Sequence, residues 1–444
     1  MTKKAAIFTL GCRANQYDEL VIRGSLEDAG FEIVPFDEPA DLYVINTCTV
    51  THRGDADSRK AARNAHRRNP DAFIVMAGCY SHWASEKIID IEGVDLVLGN
   101  REKMEISRYL PENLVKQQNP LVLVSNTDFT DAFGKCALIP SDKSRALLKI
   151  QEGCNQCCSY CIVPHVRGNP RSLERAEVLS RISELVISGF KEVVLTGINL
   201  GMWGRETGEN LESLVRDIDD LDGEFRIRLS SIEPMELTDE LVDILLDSTR
   251  ICRHLHVPIQ NGCDRVLADM RRTYSVGDIA RVFDRIKSAD PGWNLGTDLV
   301  IGFPGETKGD FDEQISNLSR LPVNYYHLFT FSPRKGTIAS TMAGKVPVEK
   351  VKSRLEILKI IDRESRRRFI ESQLDSILTF VIEKGGSENR DTIMGLSDNY
   401  IRASLTGIGS ADSGLVRARL IMLDDQTPVA TLDVLRSNGW SASN

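Results

Sequence analysis

The first hundred residues alternate short apolar runs with stretches of helical pattern. The runs cover residues 5–10, 42–45 and 73–77, and helical patterns cover residues 17–29 and 54–68. Strands that alternate with helices in this way are typical of an open, largely parallel sheet with flanking helices. The opening segment is therefore predicted to be an α/β unit built on such a sheet.

The same alternation returns after residue 144 and continues to about residue 333. Six apolar runs separated by helical patterns predict a partial, open (βα)6 barrel, with polar strand ends lining one mouth. A charged helix is predicted over residues 348–372. The six runs are residues 147–151, 192–196, 226–230, 254–258, 296–301 and 325–329.

The end of the chain changes character. Short β-like runs separated by Gly, Asp and Asn predict a small antiparallel β-barrel there. These runs are residues 378–383, 392–396, 400–405, 415–423 and 430–435. Residues 101–143 contain three prolines and are predicted to be an irregular connection. The predicted domains are therefore residues 1–100, 101–143, 144–372 and 373–440.

Composition narrows the class of protein. The chain has 444 residues and a net charge of −9, which argues against a uniformly basic nucleic-acid binder but allows local basic patches. No stretch approaches the ~20 apolar residues of a membrane helix, and the first apolar run is too short for a signal peptide. We expect a cytoplasmic protein without membrane contact. In that compartment the ten cysteines favour metal binding or catalysis over disulfides.

The strongest chemical signal is a cysteine cluster directly after a predicted strand. Cys154, Cys158 and Cys161 follow the spacing C-x3-C-x2-C. Three thiolates this close together suit three corners of a cubane iron–sulfur cluster and leave the fourth iron open. Cys157 adds a second spacing, C-x2-C-C-x2-C, which is a zinc alternative. Structural zinc pairs normally stand further apart, which argues against zinc.

Three further cysteines occupy equivalent places in the first unit. Cys12, Cys48 and Cys79 each lie just past the carboxyl end of a predicted strand. Because the carboxyl ends of parallel strands meet at one edge, where ligands usually bind, these thiols are expected to converge. The alternative is that each is a small buried hydrophobe, as most free cysteines are. Their shared placement favours a second cluster.

Polar residues also follow the strands of the predicted barrel. Gly197 and Asn199 lie after one strand, Ser231 and Glu233 after the next, and Gln260 after the third. Glycine lets the backbone approach a ligand closely. An ordinary turn or helix start explains each position alone, but several polar strand ends in one barrel favour a ligand site.

These motifs resemble known families. The C-x3-C-x2-C spacing with Tyr160 before its last cysteine resembles the radical S-adenosylmethionine superfamily, and the order of all the motifs resembles its methylthiotransferases. The terminal β segment resembles the small RNA-binding TRAM domain. The segments that carry the methylthiotransferase resemblance are residues 10–17, 45–50, 77–79, 153–168, 195–204, 256–270 and 302–307.

The resemblance implies two 4Fe–4S clusters and S-adenosylmethionine as cofactors. Cys154, Cys158 and Cys161 are implied to hold the cluster that cleaves S-adenosylmethionine to a radical. Cys12, Cys48 and Cys79 are implied to hold an auxiliary cluster, where a sulfur is methylated before transfer. The five polar residues at the strand ends are implied contacts to S-adenosylmethionine; they are Gly197, Asn199, Ser231, Glu233 and Gln260.

The family has three branches with different substrates. They modify N6-threonylcarbamoyladenosine in tRNA, isopentenyladenosine in tRNA, or an aspartate of a ribosomal protein. Residues 15–17 and 195–201 resemble the first branch most, although Asn199 stands where that pattern often has histidine. The resemblance thus implies methylthio transfer to C2 of a base next to the anticodon, with the other two substrates as alternatives.

The implied partners are a tRNA anticodon stem-loop, an electron donor and a sulfur donor. Five basic residues in one helical stretch are candidates for phosphate contact, with a solvated helix face as the alternative. They are Arg59, Lys60, Arg63, Arg67 and Arg68.

Two rival classes and four unassigned cysteines remain. A cobalamin-dependent radical enzyme would carry D-x-H-x-x-G in its first unit, and none of His52, His66 and His82 stands in that pattern. An iron–sulfur sensor or regulator would bind the clusters without forming 5′-deoxyadenosine. The remaining cysteines are predicted to be structural; they are Cys136, Cys157, Cys252 and Cys263.

Overall fold

The computed structural model describes residues 2–116, 119–127, 133–134, 145–383, 393–407, 414–424 and 427–432. Cys136 lies outside these ranges, so its predicted role stays a prediction. Within them, no helix combines the length and the hydropathy needed to span a bilayer. An open sheet, an open barrel and a small closed barrel follow one another along the chain.

The N-terminal sheet has six strands in the order β2-β1-β3-β4-β5-β6, and every neighbouring pair is parallel. The two central strands are buried along their whole length because helices cover both faces, which explains their unbroken apolar sequence. The elements are β1 (Lys4–Thr9), α1 (Arg13–Asp28), β2 (Glu32–Val34), β3 (Leu42–Thr47), α2 (His52–Arg68), β4 (Phe73–Gly78), α3 (Cys79–Ile88), β5 (Leu96–Leu98) and β6 (Leu121–Leu123).

The predicted connecting region contains more order than its prolines indicate. A 3-10 helix spans Glu102–Tyr109, and β6 extends the sheet by pairing with β5. Pro111 and Pro120 stand between these elements, so neither removes a ladder hydrogen bond. Periodicity missed β6 because an edge strand of three residues has no measurable period.

The second module contains the six parallel strands predicted for an open barrel. They form two three-stranded sheets, which single bridges from Ile227 to Ile251 and from Ser231 to His256 join side by side. The six parallel strands are β7 (Arg145–Lys149), β10 (Glu192–Thr196), β11 (Arg226–Leu229), β12 (His254–His256), β13 (Asn294–Ile301) and β14 (Tyr325–Thr330). Two further strands, β8 (Gln151–Glu152) and β9 (Arg171–Ser172), form a separate antiparallel pair. Its helices are α4 (Val163–Arg167), α5 (Arg175–Ile187), α6 (Leu211–Asp219), α7 (Asp239–Asp247), α8 (Asp264–Asp269), α9 (Val276–Ala289), α10 (Lys308–Leu318) and α11 (Val348–Ser372).

The two faces of the barrel strands differ in chemistry. Val193, Leu255 and Leu295 belong to the large apolar core under the helices. Because side chains alternate along a strand, the opposite face lines the interior of the barrel, which we call the lumen. That face carries charged and aromatic side chains such as Arg228 and Tyr325, both buried.

The third module is a closed five-stranded barrel in the order β15-β16-β17-β19-β18. The predicted small barrel is thus confirmed, but the pair β17–β19 is parallel where an antiparallel barrel was predicted. Residues 392 and 433–435 of the predicted strands lie outside the described ranges. The strands are β15 (Ile377–Glu383), β16 (Ile393–Ser397), β17 (Arg402–Thr406), β18 (Leu415–Asp424) and β19 (Thr427–Leu432).

The turn between β16 and β17 closes one end of the lumen. Arg228 donates to the carbonyl oxygens of Ser397 and Asp398 at 2.9 and 3.0 Å, and the Asn294 amide donates to the carbonyl of Asn399 at 2.9 Å. Asn294 is the first residue of β13, and Arg226, the first residue of β11, donates to the carbonyl of Leu396 at 2.8 Å. The carboxyl ends of the strands face the N-terminal module: Lys149 ends β7 and binds Asp18 of α1 at 2.6 Å, and Arg334, after β14, binds Asp55 of α2 at 2.7 Å.

Candidate active site

Cys12, Cys48 and Cys79 converge at the carboxyl edge of the N-terminal sheet, and we call them the first triad. Cys12 caps α1 after β1, Cys48 follows β3, and Cys79 begins α3 after β4. These three strands are neighbours, so the thiols meet although they are far apart in sequence. Burial, with the charges of Cys79 and then Cys12, raises the pKa of Cys48 to about 12.

Gly11 makes room for this convergence. Its φ is +98°, a conformation that favours glycine, and a Cβ there would lie 2.8 Å from both Cβ and Sγ of Cys48. Any side chain at this position would displace the Cys48 thiol. The glycine before Cys12 is therefore part of the site.

An arginine of the second module completes the first triad. Arg167, the last residue of α4, donates from Nε to Sγ of Cys79 at 3.3 Å. The amide of Asn100 lies on the same thiol, 3.6 Å from Nδ2 to Sγ. A positive donor beside a thiol favours its thiolate, which is the form that binds metal.

Arg167 belongs to a fully buried network of charges between the first two modules. Its guanidinium donates to both carboxylate oxygens of Glu152 at 2.9 and 2.8 Å, and to Asp18 at 3.2 Å. Lys149 and Lys103 bind Asp18 at 2.6 and 2.7 Å. Burial alone would raise the pKa of Glu152, but the charges of Arg167 and Lys149 lower it to about 2. Three cations thus face two carboxylates beside the first triad.

Cys154, Cys158 and Cys161 form a second triad in the loop between β8 and α4. Burial raises the pKa of Cys154 to about 11 and that of Cys161 to about 12, and the other thiols of the triad contribute. Arg272 donates from Nη1 to Sγ of Cys158 at 3.2 Å. Cys157 is exposed, and its thiol donates to the carbonyl oxygen of Asn155 at 3.7 Å.

Both triads fit an iron–sulfur cluster. Each brings three cysteines of one edge or one loop together, and iron binding would displace the protons of any protonated thiols. Each also has one buried arginine on a thiol, Arg167 or Arg272, whose charge offsets the thiolates. Apolar Ile162, Val166 and Trp83 pack against Cys79, which limits access of water.

Several polar atoms at the strand ends lack partners. Within the described part of the chain, no hydrogen bond reaches Oγ1 of Thr196, Oγ of Ser230, or either side-chain atom of Asn199, and all are buried. Buried polar groups are almost always paired, so these atoms indicate a ligand. Gly197 lies between them, and a Cβ there would stand 2.8 Å from Cβ of Gln151.

The other predicted contacts lie at the next strand ends. Glu233 pairs with Arg272, the arginine on Cys158, which places this carboxylate at the second triad. Ser231 is half-buried and bridges to His256 in the backbone. Gln260 has a φ of +65°, which is uncommon for a residue other than glycine and indicates a constrained site.

A hydrogen-bonded chain of polar side chains lines the lumen, and sequence reasoning missed most of it. The Tyr325 hydroxyl lies 2.7 Å from Nε2 of His254 and 3.0 Å from Nδ1 of His256. Oδ1 of Asp298 lies 2.8 Å from Nε2 of His256 and 3.2 Å from Nδ1 of His327. Burial opposes its charge, but these two bonds lower the pKa of Asp298 to about 2.

These hydrogen-bonded side chains of the lumen extend towards the second triad. Asp298 is close enough that its charge raises the pKa of Glu233, which burial already raises. His256 begins a segment that carries the methylthiotransferase resemblance, so the sequence pointed to its neighbourhood. His254, Tyr325 and His327 carried no such signal. They lie within predicted strands, and the sequence does not show which of their side chains face the interior of the barrel.

The five basic residues predicted for phosphate contact divide into two groups. Arg59 donates to the Tyr80 hydroxyl at 2.8 Å and Arg68 to the carbonyl of Phe36 at 2.6 Å, so both have structural partners. The other three are exposed along one face of α2; they are Lys60, Arg63 and Arg67.

The chain matches two family models. Residues 4–99 match the uncharacterized protein family UPF0004, and residues 148–318 match the Radical SAM superfamily. A threonylcarbamoyladenosine tRNA methylthiotransferase of Aquifex aeolicus is 37% identical over 399 residues, which are 90% of this chain and 95% of that protein. The chain belongs to the radical SAM methylthiotransferases.

Other relatives support the family and the fold of this methylthiotransferase. The Bacillus subtilis protein with the same name is 35% identical over 94% of this chain and 93% of its own. A tRNA-2-methylthio-N6-dimethylallyladenosine synthase of Lachnoclostridium phytofermentans is 30% identical over 93% of this chain and 91% of its own. The radical S-adenosylmethionine methyltransferase TsrM of Kitasatospora setae, solved with tryptophan and aza-SAM, superposes with a TM-score of 0.53 at 16% identity. It covers 74% of this chain and 73% of its own.

Proposed function

We propose that this methylthiotransferase adds a methylthio group to C2 of N6-threonylcarbamoyladenosine in the anticodon loop of tRNA. The observation that carries the proposal is that buried arginines of the barrel module reach both triads: Arg272 joins Cys158 to Glu233, and Arg167 donates to Cys79. The substrate follows the names of the relatives that align over nine-tenths of the chain.

The superfamily implies S-adenosylmethionine and a 4Fe–4S cluster. We assign that cluster to Cys154, Cys158 and Cys161, and a second one to the first triad. When bound, these groups would supply a radical and a sulfur atom. The radical is needed because the C–H bond at C2 of adenine is unactivated. No acid or base of the chain could remove that hydrogen at neutral pH.

The chain's own residues bind and orient in this proposal. Asn199 and Gly197, with Ser231, Glu233 and Gln260, receive S-adenosylmethionine at the barrel mouth. The unpartnered atoms of Asn199 supply the strongest support for this role, since they are buried and unsatisfied in the described structure. Arg272 fixes both the Glu233 carboxylate and the Cys158 thiol.

Phe329 is the candidate stacking partner for the target base. It stands two residues after His327 on β14 and therefore on the same lumen face, and it is 43% exposed. An exposed aromatic ring inside a polar mouth suits a base that has left its stack. A base in an anticodon loop is unpaired, so moving it into the mouth costs little.

The remaining assignments concern partners. Lys60, Arg63 and Arg67 on α2, with the C-terminal barrel, would hold the phosphates of the stem-loop. An external electron donor and a sulfur donor are required, and the cytoplasm is the compartment where both would meet tRNA.

Mass spectrometry of tRNA nucleosides tests the proposal. Anaerobically reconstituted protein would be given S-adenosylmethionine, sulfide, reductant and tRNA bearing either threonylcarbamoyladenosine or isopentenyladenosine. We expect a methylthio mass gain on the first substrate only, and none with a Cys158→Ala variant. A gain on the second substrate alone would overturn the assigned substrate, and a gain on neither would overturn the proposal.

A further inference from the structure

Arg13 reaches from the N-terminal module across to the C-terminal barrel. It directly follows Cys12 and begins α1, and its side chain is half-buried. Its Nη2 donates to the hydroxyl of Tyr400 at 3.2 Å. Tyr400 belongs to the turn that closes the lumen, and its ring stacks on His254 with centroids 4.2 Å apart. The guanidinium of Arg13 therefore lies inside the lumen, on a stem that starts beside the first triad.

The other charged groups of the lumen are already paired. Arg228 binds Glu192 at 2.8 Å. Asp298 is hydrogen-bonded to two histidines, as described above. Burial, followed by the charge of Arg228 and then that of Arg13, lowers the pKa of His254 well below its usual value, so this histidine is neutral. Glu233 is paired with Arg272.

Arg13 is the exception among these groups. In the parts of the chain that the structure describes, no carboxylate lies within ion-pair distance of it, and its hydrogen-bonding partner is the hydroxyl of Tyr400. A guanidinium has five N–H donors in a planar fork that matches a carboxylate. A half-buried guanidinium without an anion favours an anionic ligand, because its charge is only partly solvated.

We propose that Arg13 binds the carboxylate of the substrate's N6 substituent. The inference rests on the proposed function and deepens it. A threonylcarbamoyl group carries a carboxylate, whereas a dimethylallyl group is a hydrocarbon, so a single cation in the lumen distinguishes the two bases. The position of Arg13 after Cys12 places the substituent against the N-terminal module while the base lies in the barrel mouth.

Binding measurements with three short RNAs test Arg13. The reconstituted protein, without reductant, would be titrated with one anticodon stem-loop carrying threonylcarbamoyladenosine, dimethylallyladenosine or adenosine at the same position. In the wild type we expect the first RNA to bind about 10- to 100-fold more tightly than the third, as for a hydrogen-bonded ion pair. Arg13→Gln should abolish this ratio, and Arg13→Lys should keep a smaller one.

Two controls separate this role from general electrostatics and from folding. Arg23→Gln removes the same charge from the same helix, where Arg23 pairs with Glu19 at 3.7 Å. This control variant should weaken the binding of all three RNAs equally. Tyr400→Phe removes only the phenol partner and should keep or increase the ratio. Unchanged iron content in Arg13→Gln shows that the first triad is intact.

The inference is overturned if Arg13→Gln and the wild type show the same ratio between the RNAs. In that case methylthio transfer to threonylcarbamoyladenosine by the wild type still stands, so the proposed function survives. If the wild type binds all three RNAs equally and modifies none, the proposed function fails as well.

Discussion

The two cysteine triads offer similar chemistry but are assembled differently. The second lies in one loop, and its arginine and carboxylate, Arg272 and Glu233, belong to the same module. The first collects thiols from three strand ends, and its arginine, Arg167, comes from the other module. The second triad is therefore a property of the barrel, whereas the first is complete only when the two modules are docked.

This difference explains why charges are buried between the N-terminal sheet and the barrel. Asp18 of α1 forms ion pairs with Lys149 of β7 and Arg167 of α4. These ion pairs join the N-terminal sheet to the barrel beside the first triad. A buried ionic network is a weak source of net stability but enforces one arrangement, because a shifted interface would strand its charges. We infer that the network sets the position of the first triad over the lumen.

The largest expected effect distinguishes the two triads by the reaction products that a variant of each still forms. Cys158→Ala should abolish both methylthio transfer and the formation of 5′-deoxyadenosine, because the second triad serves both. Cys79→Ala should abolish methylthio transfer yet retain 5′-deoxyadenosine. Chromatography of the small molecules and mass spectrometry of the nucleosides measure the two products. Retained methylthio transfer in Cys79→Ala would contradict the division of roles.

The next largest effect concerns the docking of the modules. Asp18→Asn leaves Lys103, Lys149 and Arg167 facing a single buried carboxylate, and we expect it to lower the free energy of unfolding by about 3–5 kcal/mol. Asp57→Asn is the matched control, since Asp57 pairs with the exposed Arg53 and should contribute at most about 1 kcal/mol. Denaturant unfolding measures both. Equal losses would show that the network does not hold the modules together.

A smaller effect is expected at the barrel mouth. Phe329→Ala should weaken binding of the stem-loop by about 1–3 kcal/mol, the contribution of one stacked base. Ile187→Ala, on an outward-facing helix and 86% exposed, should leave binding unchanged. Fluorescence titration with the same RNA measures both variants. A loss that appears equally with RNA lacking the target base would exclude a stacking role.

The last prediction concerns the pH dependence of stability and Glu152. Its pKa is lowered to about 2 in the folded protein, so its contribution to stability is complete above the ordinary glutamate pKa of ~4.3 and is lost as the pH falls towards 2. Glu152→Gln should thus flatten the fall in stability between ~pH 4.3 and 2. Thermal unfolding across this range measures the slope. An unchanged slope would mean that Glu152 titrates normally in the folded protein.

The sequence predicted the local features well. The strand–helix alternation predicted the parallel sheet and the open barrel, and the spacing of Cys154, Cys158 and Cys161 indicated a compact triad. The convergence of Cys12, Cys48 and Cys79 followed from parallel topology alone. Each of these predictions depends on periods or spacings that a short window of sequence contains.

Contacts between modules could not be predicted in this way. Arg167 and Cys79, or Arg13 and Tyr400, meet only after the modules dock, and neither pair has a spacing that a pattern encodes. The parallel pair β17–β19 and the edge strand β6 were missed because such short strands do not specify their partners. Cys157 is predicted to be structural, and the structure places it exposed in the loop of the second triad.

The most direct test of two separately assembled metal sites is iron analysis with Mössbauer spectroscopy on anaerobically reconstituted protein. We predict about eight irons per chain in the wild type, as two 4Fe–4S clusters, and about four when the cysteines of either triad are replaced by alanine. About four irons in the wild type, unchanged when Cys12, Cys48 and Cys79 are all replaced, would contradict a cluster at the first triad.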